Sequence, residues 1–243
     1  MGLIAHCRSV KVDREFLRTC ETPAAEGIWK PIPHFDAASC VVEQAQKRGY
    51  VVTKEEYAVN KDSMKLFGVI NFADQTGDLF AESTRMMGFR HSHDKSMAFS
   101  ITVGKTVMVC DNMAFGGELV MKHKHTSGFD FCDQVDVMFD SLESKYVDLD
   151  LGIANLKGQQ ITPDAARSLV IDTADQDIIA PKYIMDVVKE YEHPTFGDAF
   201  KPGDRWSLYN AFTHVMKQFP AQRYDEAMRG LSAFFNLGTP ALV

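Results

Sequence analysis

The chain has 243 residues, of which 45% are hydrophobic and 24% are charged, and its formal net charge is −7. This composition excludes a disordered chain and predicts one large or two small globular domains, and the acidic balance counts against a protein that coats nucleic acid through bulk charge. Five scattered cysteines without a CxxC pair predict neither a disulfide framework nor a zinc ribbon, and no apolar stretch has the length of a membrane span, so we expect a cytoplasmic protein without a membrane partner.

The first half of the sequence predicts one helix followed by antiparallel strands. Residues 1–36 are rich in proline and predicted to be irregular, and Asp36 is the predicted N-cap of a helix that ends at Gly49. Extended segments are predicted over residues 50–53, 64–72, 83–90, 97–103, 106–110 and 118–125. Turns are predicted at residues 74–77, at Gly104 and Lys105 as a two-residue hairpin, and at Gly116 and Gly117.

The second half predicts helices. Apolar residues between 131 and 142 recur at helical spacing, and Thr162 followed by Pro163 predicts the N-cap and first position of another helix. Further helices are predicted over residues 181–191, 203–219 and 224–235, with a linker near 148–162.

We therefore predict an α+β fold, with an antiparallel β meander in the N-terminal half, preceded by a helix, and a helical C-terminal half. The predicted organisation is an irregular segment over 1–36, a β-rich domain over 37–147 and a helical region over 162–243 that packs on it, possibly as one single domain.

Residues 86–126 concentrate the unusual chemistry of this sequence. They hold four of the eight histidines, and residues 85–126 carry six basic against three acidic side chains, which makes a local charge of +3 in a chain of −7. A basic, histidine-rich island in an acidic protein is more typical of an anion site or a metal site than of a core.

Two histidine pairs in this island have the spacing of metal ligands on a strand. Residues at i and i+2 of a strand point to the same face, as a zinc ligand set requires. The metal candidates are His91, His93, His123 and His125. Since the spacing fixes no third ligand, no metal is favoured over histidines that are hydrogen-bonded on a polar sheet face or that bind phosphate, and the sequence specifies no cofactor.

The phosphate alternative rests on the basic side chains of the island. Lysine, arginine and histidine together suit a phosphodiester, and Ser92 and Thr126 add hydroxyl donors. The basic residues that would meet if their strands pair are Arg90, Lys95, Lys122 and Lys124. The sequence has no GxxxxGK[ST] motif, so a P-loop is excluded.

A late helix carries a second group of polar and aromatic residues. Its apolar stripe is Leu208, Phe212, Val215 and Phe219, and the opposite face holds Trp206, Asn210, Thr213 and His214. Because exposed tryptophan is enriched at contacts, we predict that this face is covered, either by the β-rich half of the same chain or by a second subunit of a homo-oligomer.

Four segments carry a recognisable combination of residues: GFRHSHDKSMAF, VMVCDNMAFGGE, KHKHT and WSLYNAFTH. Together they resemble a family of phage- and plasmid-encoded proteins labelled domain of unknown function 932, over residues 67–126 and 205–214. His91 and His123 depart from the family pattern, which has asparagine and often arginine there. The resemblance implies a mobile genetic element in the cytoplasm of a bacterial host. Its pattern marks Arg90, Ser92, His93, Asp94, Lys95, Cys110, Asp111, Asn112, Phe115, Gly117, Glu118, Lys124, His125 and Thr126.

Two functional hypotheses follow from these patterns. The first is a phage- or plasmid-associated protein that binds nucleic acid or a nucleotide through a groove rich in histidine, lysine and arginine, in DNA metabolism such as recombination or in counter-defence. Its predicted ligand-binding residues are Arg90, Ser92, Lys95, Asp111, Asn112, Lys124, Thr126, Asn210 and His214. The alternative is a phosphodiester hydrolase, with or without metal, whose catalytic residues are His93, His125 and either Asp94 or Glu118. We favour the binding protein.

Overall fold

The computed structural model describes residues 9–73, 83–107, 112–126, 130–197, 200–219 and 221–237, of which 83, 106–107, 112–121, 221–222 and 225 are described by backbone alone. Within these residues the fold is α+β, as predicted, with one six-stranded antiparallel sheet and seven α-helices. The strands are β1 (Val10–Val12), β2 (Val52–Val59), β3 (Lys65–Phe72), β4 (Ser83–Ser92), β5 (Phe99–Val107) and β6 (Asn112–His123). The helices are α1 (His34–Lys47), α2 (Phe131–Asp140), α3 (Leu142–Gly158), α4 (Pro163–Asp175), α5 (Ile184–Glu192), α6 (Arg205–Met216) and α7 (Ala221–Phe234).

The chain divides into two compact units. The sheet unit comprises residues 1–106 and 119–144, and the helical unit comprises residues 107–118 and 145–243. The linker predicted near 148–162 is wrong, because α3 occupies most of it. The apolar residues of α3 recur every three or four positions and are buried, which makes this segment a packed helix: Leu142, Tyr146, Leu149, Ile153 and Leu156.

The strands of the sheet follow one another in chain order, which is the predicted meander. Antiparallel pairing of β3 with β4 sets Leu66 opposite His91 and Gly68 opposite Phe89. Helix α2 covers this sheet, since Phe131 packs edge-on against Phe99 of β5 with ring centres 4.5 Å apart. The pairing therefore delivers His91 to the buried side of the sheet unit, where it is 0% exposed.

Both glycine turns predicted within the later strands are wrong. Strand β5 runs through Gly104 and Lys105, and Gly116 and Gly117 lie inside β6. A two-residue hairpin of the favoured types needs positive φ at its centre, and the described glycines with positive φ are Gly27, Gly49 and Gly203. The buried alternation of Phe99, Ile101 and Val103 continues the strand instead. The turn predicted at 74–77 lies outside the described residues.

Helix starts follow the sequence in one case and depart from it in another. The Thr162 side chain accepts a hydrogen bond from the backbone N–H of Ala165, 3.2 Å away, so the predicted N-cap of α4 is confirmed. Helix α1 begins earlier than predicted, with Pro33 at the N-cap, and Asp36 lies in the first turn. A carboxylate there still complements the helix dipole, which is why it resembled a cap.

Cys40 of α1 and Cys132 of α2 form a disulfide, with Cα atoms 5.8 Å apart and a separation of 92 positions in sequence. No disulfide framework was predicted from the sequence, and this pair departs from that prediction. Their spacing in sequence carries no information about it, because the pair depends on how α1 and α2 pack.

The polar face of α6 was predicted to be covered by the β-rich half of the chain or by a second subunit, but its tryptophan belongs to the core of the helical unit itself. Trp206, Asn210 and Thr213 are 6%, 3% and 2% exposed, and Trp206 stacks on Tyr209 with ring centres 5.6 Å apart. The polar groups bond to their own helix: Asn210 donates to the Trp206 carbonyl and Thr213 to the Asn210 carbonyl. Because Trp206 belongs to the apolar cluster of the helical unit, no second subunit is needed to cover it.

Replacing Gly68 with alanine is expected to destabilise the sheet unit by about 1–3 kcal/mol, the usual cost of overpacking. The ring of the cross-strand partner Phe89 lies over Gly68, and an added Cβ would stand 2.4 Å from the Phe89 Cε1 and Cζ atoms. Urea denaturation of the variant measures the loss. The double variant Gly68→Ala/Phe89→Leu is the control. Because leucine removes the clashing ring, adding Gly68→Ala to Phe89→Leu should cost less stability than adding it to the wild type. Simple additivity would contradict the clash.

Candidate metal centre

Four histidines from three separate segments of the chain meet in the sheet unit. His34 is the first residue of α1, His91 lies near the end of β4, His93 follows β4, and His125 follows β6. Their residues are 0%, 0%, 3% and 4% exposed. These four residues are called the histidine cluster below. Histidine is less often fully buried than apolar residues, and a buried imidazole needs partners for its ring nitrogens. The groups that face these nitrogens therefore indicate the role of each ring.

Within the cluster, three imidazoles are close enough to share one ion. One ligand nitrogen from each of His34, His91 and His93 lies within 4.8 Å of the other two. The ring centres of His34 and His93 are 3.9 Å apart in a stack, and those of His34 and His91 are 4.7 Å apart in an edge-on contact. His91 lies 5.6 Å from His93 and 5.3 Å from His125 by the same measure.

A hydrogen-bonded chain fixes the tautomers of two of these rings. His34 Nε2 is 2.9 Å from the Ser63 carbonyl oxygen, which only accepts, so this nitrogen donates. His34 Nδ1 is then a lone-pair nitrogen in the neutral ring, and it accepts from His91 Nε2 at 3.1 Å. The proton on His91 Nε2 leaves His91 Nδ1 as a second lone-pair nitrogen.

Several cluster nitrogens are buried without a hydrogen-bond partner among the described residues. They are Nδ1 of His91 and both ring nitrogens of His125. A buried polar atom without a partner costs about 1–3 kcal/mol, and such atoms in folded proteins usually mark a catalytic role, a water or an ion. His91 and His125 therefore each have a buried nitrogen that no described residue satisfies.

Burial keeps the imidazoles of His34, His91 and His125 neutral. It lowers the pKa of His34 to about 4, helped by charge repulsion from His93 and opposed by the hydrogen bond to Ser63. Burial likewise lowers the pKa of His125 to about 4, and that of His91 well below the usual value. The neutral ring is the form that binds a transition metal, so protons do not compete for these nitrogens at neutral pH.

These shifts predict acid sensitivity of the metal-free protein. Between pH 6.5 and pH 4 the unfolded chain binds protons on His34 and His125 that the folded chain does not, so stability falls as pH falls through this window. Each of the two histidines should contribute a loss of about 2 kcal/mol between pH 7 and pH 5. Urea denaturation in chelator at a series of pH values measures it.

The control for this acid sensitivity is His125→Leu, which removes one of the two titrating rings without breaking a described side-chain hydrogen bond. It should lose about 2 kcal/mol less than the wild type on acidification. Equal pH dependence of the two proteins would show that the His125 ring does not resist protonation in the fold.

The N-terminal segment, residues 20–33, is held by the same part of the sheet unit. His93 faces two of its carbonyl oxygens, with Nδ1 3.2 Å from that of Glu21 and Nε2 2.8 Å from that of Ile32. Lys95 forms an ion pair with Glu26. On the other side, the Lys30 N–H donates to the His125 carbonyl at 3.1 Å. His93 and Lys95 thus fasten this segment over the cluster.

The remaining predicted site residues lie around or away from the cluster. Ser92 is buried and accepts from the Met97 N–H at 2.9 Å, so it shapes the turn after β4. Burial favours a raised pKa for Asp94, but hydrogen bonds from Ser96 and Ser92 and the charge of Lys65 outweigh it and hold that pKa at about 2. Arg90 is half-buried on β4, whereas Lys122 and Lys124 are exposed.

Other predicted residues are not among the four rings of the cluster. His123 is half-buried, and its Nδ1 lies 2.6 Å from the Lys124 carbonyl oxygen. Thr126 pairs through its backbone with Trp29. Asn210 and His214 belong to the helical unit, where His214 Nδ1 is 3.8 Å from a Glu190 carboxylate oxygen. Asp111 and Cys110 lie outside the described residues, as do the side chains of Asn112, Phe115 and Glu118.

Sequence reasoning missed His34, which is 57 residues from its nearest partner in the chain, His91. No spacing motif joins them. The one local signal is that His34 begins a helix whose next apolar positions are buried, which turns its ring toward the same interior.

Comparison of the chain with models of protein families, with curated proteins and with solved structures finds no match. Among the helices of the described residues, none combines the length and the apolar character needed to cross a membrane.

Proposed function

We propose that this protein binds a divalent transition-metal ion of the zinc type through the histidine cluster. The observation that carries the proposal is the group of three buried imidazoles, His34, His91 and His93, whose ligand nitrogens lie within 4.8 Å of one another. Imidazole nitrogen is a preferred ligand of zinc, copper, iron and nickel, whereas magnesium and calcium require oxygen ligands. The donor set therefore favours a transition metal.

The spacing of the two hydrogen-bonded rings supports this assignment. Two nitrogens bound to one tetrahedral zinc at 2.0–2.1 Å lie about 3.3 Å apart. His34 Nδ1 and His91 Nε2 are 3.1 Å apart, so both can bind one ion once the proton on His91 Nε2 has moved to His91 Nδ1 and the two rings have turned their lone pairs toward the ion. The other nitrogen of His34 already donates to the Ser63 carbonyl, which orients a metal-binding histidine and raises its basicity.

Burial supports a structural metal over a catalytic one. A catalytic zinc keeps one position open to substrate, whereas structural sites are closed by protein ligands. His34, His91 and His93 are at most 3% exposed, so a phosphodiester cannot reach their nitrogens. Asp94, with a pKa near 2, is also a poor general base. An ion here would join α1, β4 and the turn after β4, and thereby stabilise the folded sheet unit.

Metal titration tests the proposal. Chelator-treated protein is expected to bind one equivalent of zinc, measured by isothermal titration calorimetry and by elemental analysis after dialysis. The double variant His34→Ala/His91→Ala should bind none, and His123→Ala, which removes a histidine outside the cluster, should bind as the wild type does. Wild-type protein that binds no zinc, nickel or copper would refute the proposal.

A second proposal is that the protein binds nucleic acid, in the phage or plasmid context that the family resemblance implies. The exposed side chains of Lys122 and Lys124 and the half-buried Arg90 support it. Against a broad basic groove stand two local ion pairs, Lys95 with Glu26 and Lys65 with Asp94, which neutralise part of the charge. The surface that supports this proposal is therefore small.

Lys124→Glu is expected to weaken binding of a labelled single-stranded oligonucleotide and to lower the salt dependence of binding by about one charge. The free energy of unfolding should change by no more than about 0.5 kcal/mol, since Lys124 is exposed. Fluorescence anisotropy at several salt concentrations measures binding. Lys61→Glu, an exposed lysine in the turn between β2 and β3, is the control. If both variants weaken oligonucleotide binding equally, or if neither weakens it, the result would count against a specific surface.

A further inference from the structure

We propose that His125 is the fourth ligand of the histidine cluster and closes the metal site. This inference rests on the proposed metal binding and goes beyond the triad, because the His125 nitrogens are outside the group whose ligand atoms lie within 4.8 Å of one another. It assigns the buried ring of His125 a partner that the described residues do not provide.

Ring-centre distances support a four-histidine site. A histidine bound through nitrogen to tetrahedral zinc has its ring centre about 3.2 Å from the metal, so two such rings have centres about 5.2 Å apart. His91 and His125 have ring centres 5.3 Å apart. The distances from His91 to His93 and to His34, 5.6 Å and 4.7 Å, deviate from this value by about half an ångström. His91 is thus spaced from each of the other three rings as a shared tetrahedral ion requires.

No described hydrogen bond holds the ring of His125 in its present orientation. Its main chain is fixed, because its carbonyl accepts from the Lys30 N–H and the next residue, Thr126, pairs with Trp29. Its ring is 4% exposed, and neither nitrogen has a hydrogen-bond partner among the described residues. Rotation of the ring therefore breaks no described hydrogen bond, and binding an ion satisfies a buried nitrogen.

The stacked pair shows what else must move. His34 and His93 have ring centres 3.9 Å apart, closer than two ligands of one tetrahedral ion. Both His93 nitrogens face carbonyl oxygens of the N-terminal segment, so His93 must give up one of these contacts to bind. Entry of the ion is thereby linked to a small displacement of His93 from Glu21 or Ile32.

Four imidazoles would give the site a specific chemical character. Nitrogen donors alone carry no negative charge, so the site favours an ion with strong affinity for imidazole, such as zinc, cobalt or copper, over manganese. With four protein ligands the tetrahedral ion has no open position, which is the arrangement of a structural site.

Cobalt(II) spectroscopy tests the role of His125. Tetrahedral cobalt(II) absorbs visible light much more strongly than six-coordinate cobalt(II), so the wild-type protein titrated with cobalt is expected to give intense bands. His125→Ala should lose most of this intensity and bind cobalt more than about 100-fold more weakly, because even a residue that only supports a ligand costs about 10- to 100-fold. Free imidazole, which fits the space left by the ring, should restore the bands.

His123→Ala is the matched control and should leave the spectrum unchanged. His125→Gln, which keeps a polar side chain of similar size, replaces His125→Ala if circular dichroism shows that the alanine variant is unfolded. Intense bands in the His125 variant with wild-type affinity would overturn the fourth ligand and leave the triad standing. Weak, six-coordinate bands in the wild type would also overturn it. A wild-type protein that binds no cobalt and no zinc would instead refute the metal centre itself.

Discussion

Replacing His91 with alanine is expected to abolish the stabilisation that zinc gives to the wild-type protein. A ligand that binds only the folded state adds about 2.7 kcal/mol at a free concentration 100 times its Kd. For a chain of 243 residues this corresponds to a rise in Tm of about 5–10 °C. His91 is the ring that contacts the other three, so its loss removes the ligand on which the cluster depends. Differential scanning calorimetry with zinc and with chelator measures the rise.

The comparison is made within each variant, because His91→Ala also leaves a cavity and the lone pair of His34 Nδ1 without a donor. The difference between the zinc and chelator scans cancels both effects. His123→Ala should keep the full rise in Tm. A rise that survives in His91→Ala would locate the stabilising ion elsewhere in the chain.

Replacing Trp206 with alanine is expected to lower the free energy of unfolding by about 3–5 kcal/mol, the range for large buried aromatic residues. Trp206 is 6% exposed, stacks on Tyr209 and belongs to the apolar cluster of the helical unit. Removing the ring would leave a cavity beside α6. The neighbouring helices can relax into this cavity only in part. Urea denaturation followed by circular dichroism measures the loss.

Two exposed apolar residues of the same unit serve as controls. Ile171 of α4 and Met185 of α5 are 50% and 58% exposed, and their replacement by alanine should change stability by about 0.5 kcal/mol or less. Light scattering should show the same mass for Trp206→Ala and the wild type. Wild-type stability of Trp206→Ala would mean that the tryptophan is not part of the core.

Local patterns in the sequence predicted those elements whose formation depends on residues close together in the chain. The meander of strands and the Thr162 cap of α4 each follow from local sequence patterns, and the structure has them. The place of Trp206 in the core of the helical unit was not predicted, because its face lies opposite the apolar stripe of the helix. Glycine misled the prediction at Gly104 and Lys105, because a glycine can occupy either a turn or a strand and only the pairing of the whole strand decides.

The candidate site was predictable only in part for a similar reason. The i, i+2 spacing of His91 and His93 predicted that their rings lie on a common side, and His125 was singled out with them, although His93 follows the end of β4. His34 comes from a helix start, and its approach to His91 depends on tertiary packing over 57 residues. The pairing of Cys40 with Cys132, 92 residues apart, was missed on the same ground.

The attachment of the N-terminal segment has a consequence for the order of events during synthesis. Its carbonyl contacts with His93 span 72 residues from Glu21 and 61 from Ile32. A ribosome adds about 5–20 residues per second, so residues 20–33 wait about 3–14 seconds before His93 has been made, and longer before His125 has. Closing such long loops is entropically unfavourable until the strands between them have paired. Residues 20–33 are therefore made early but dock only after β4 has been made, and the nascent chain completes its histidine cluster only after β6 has left the ribosome.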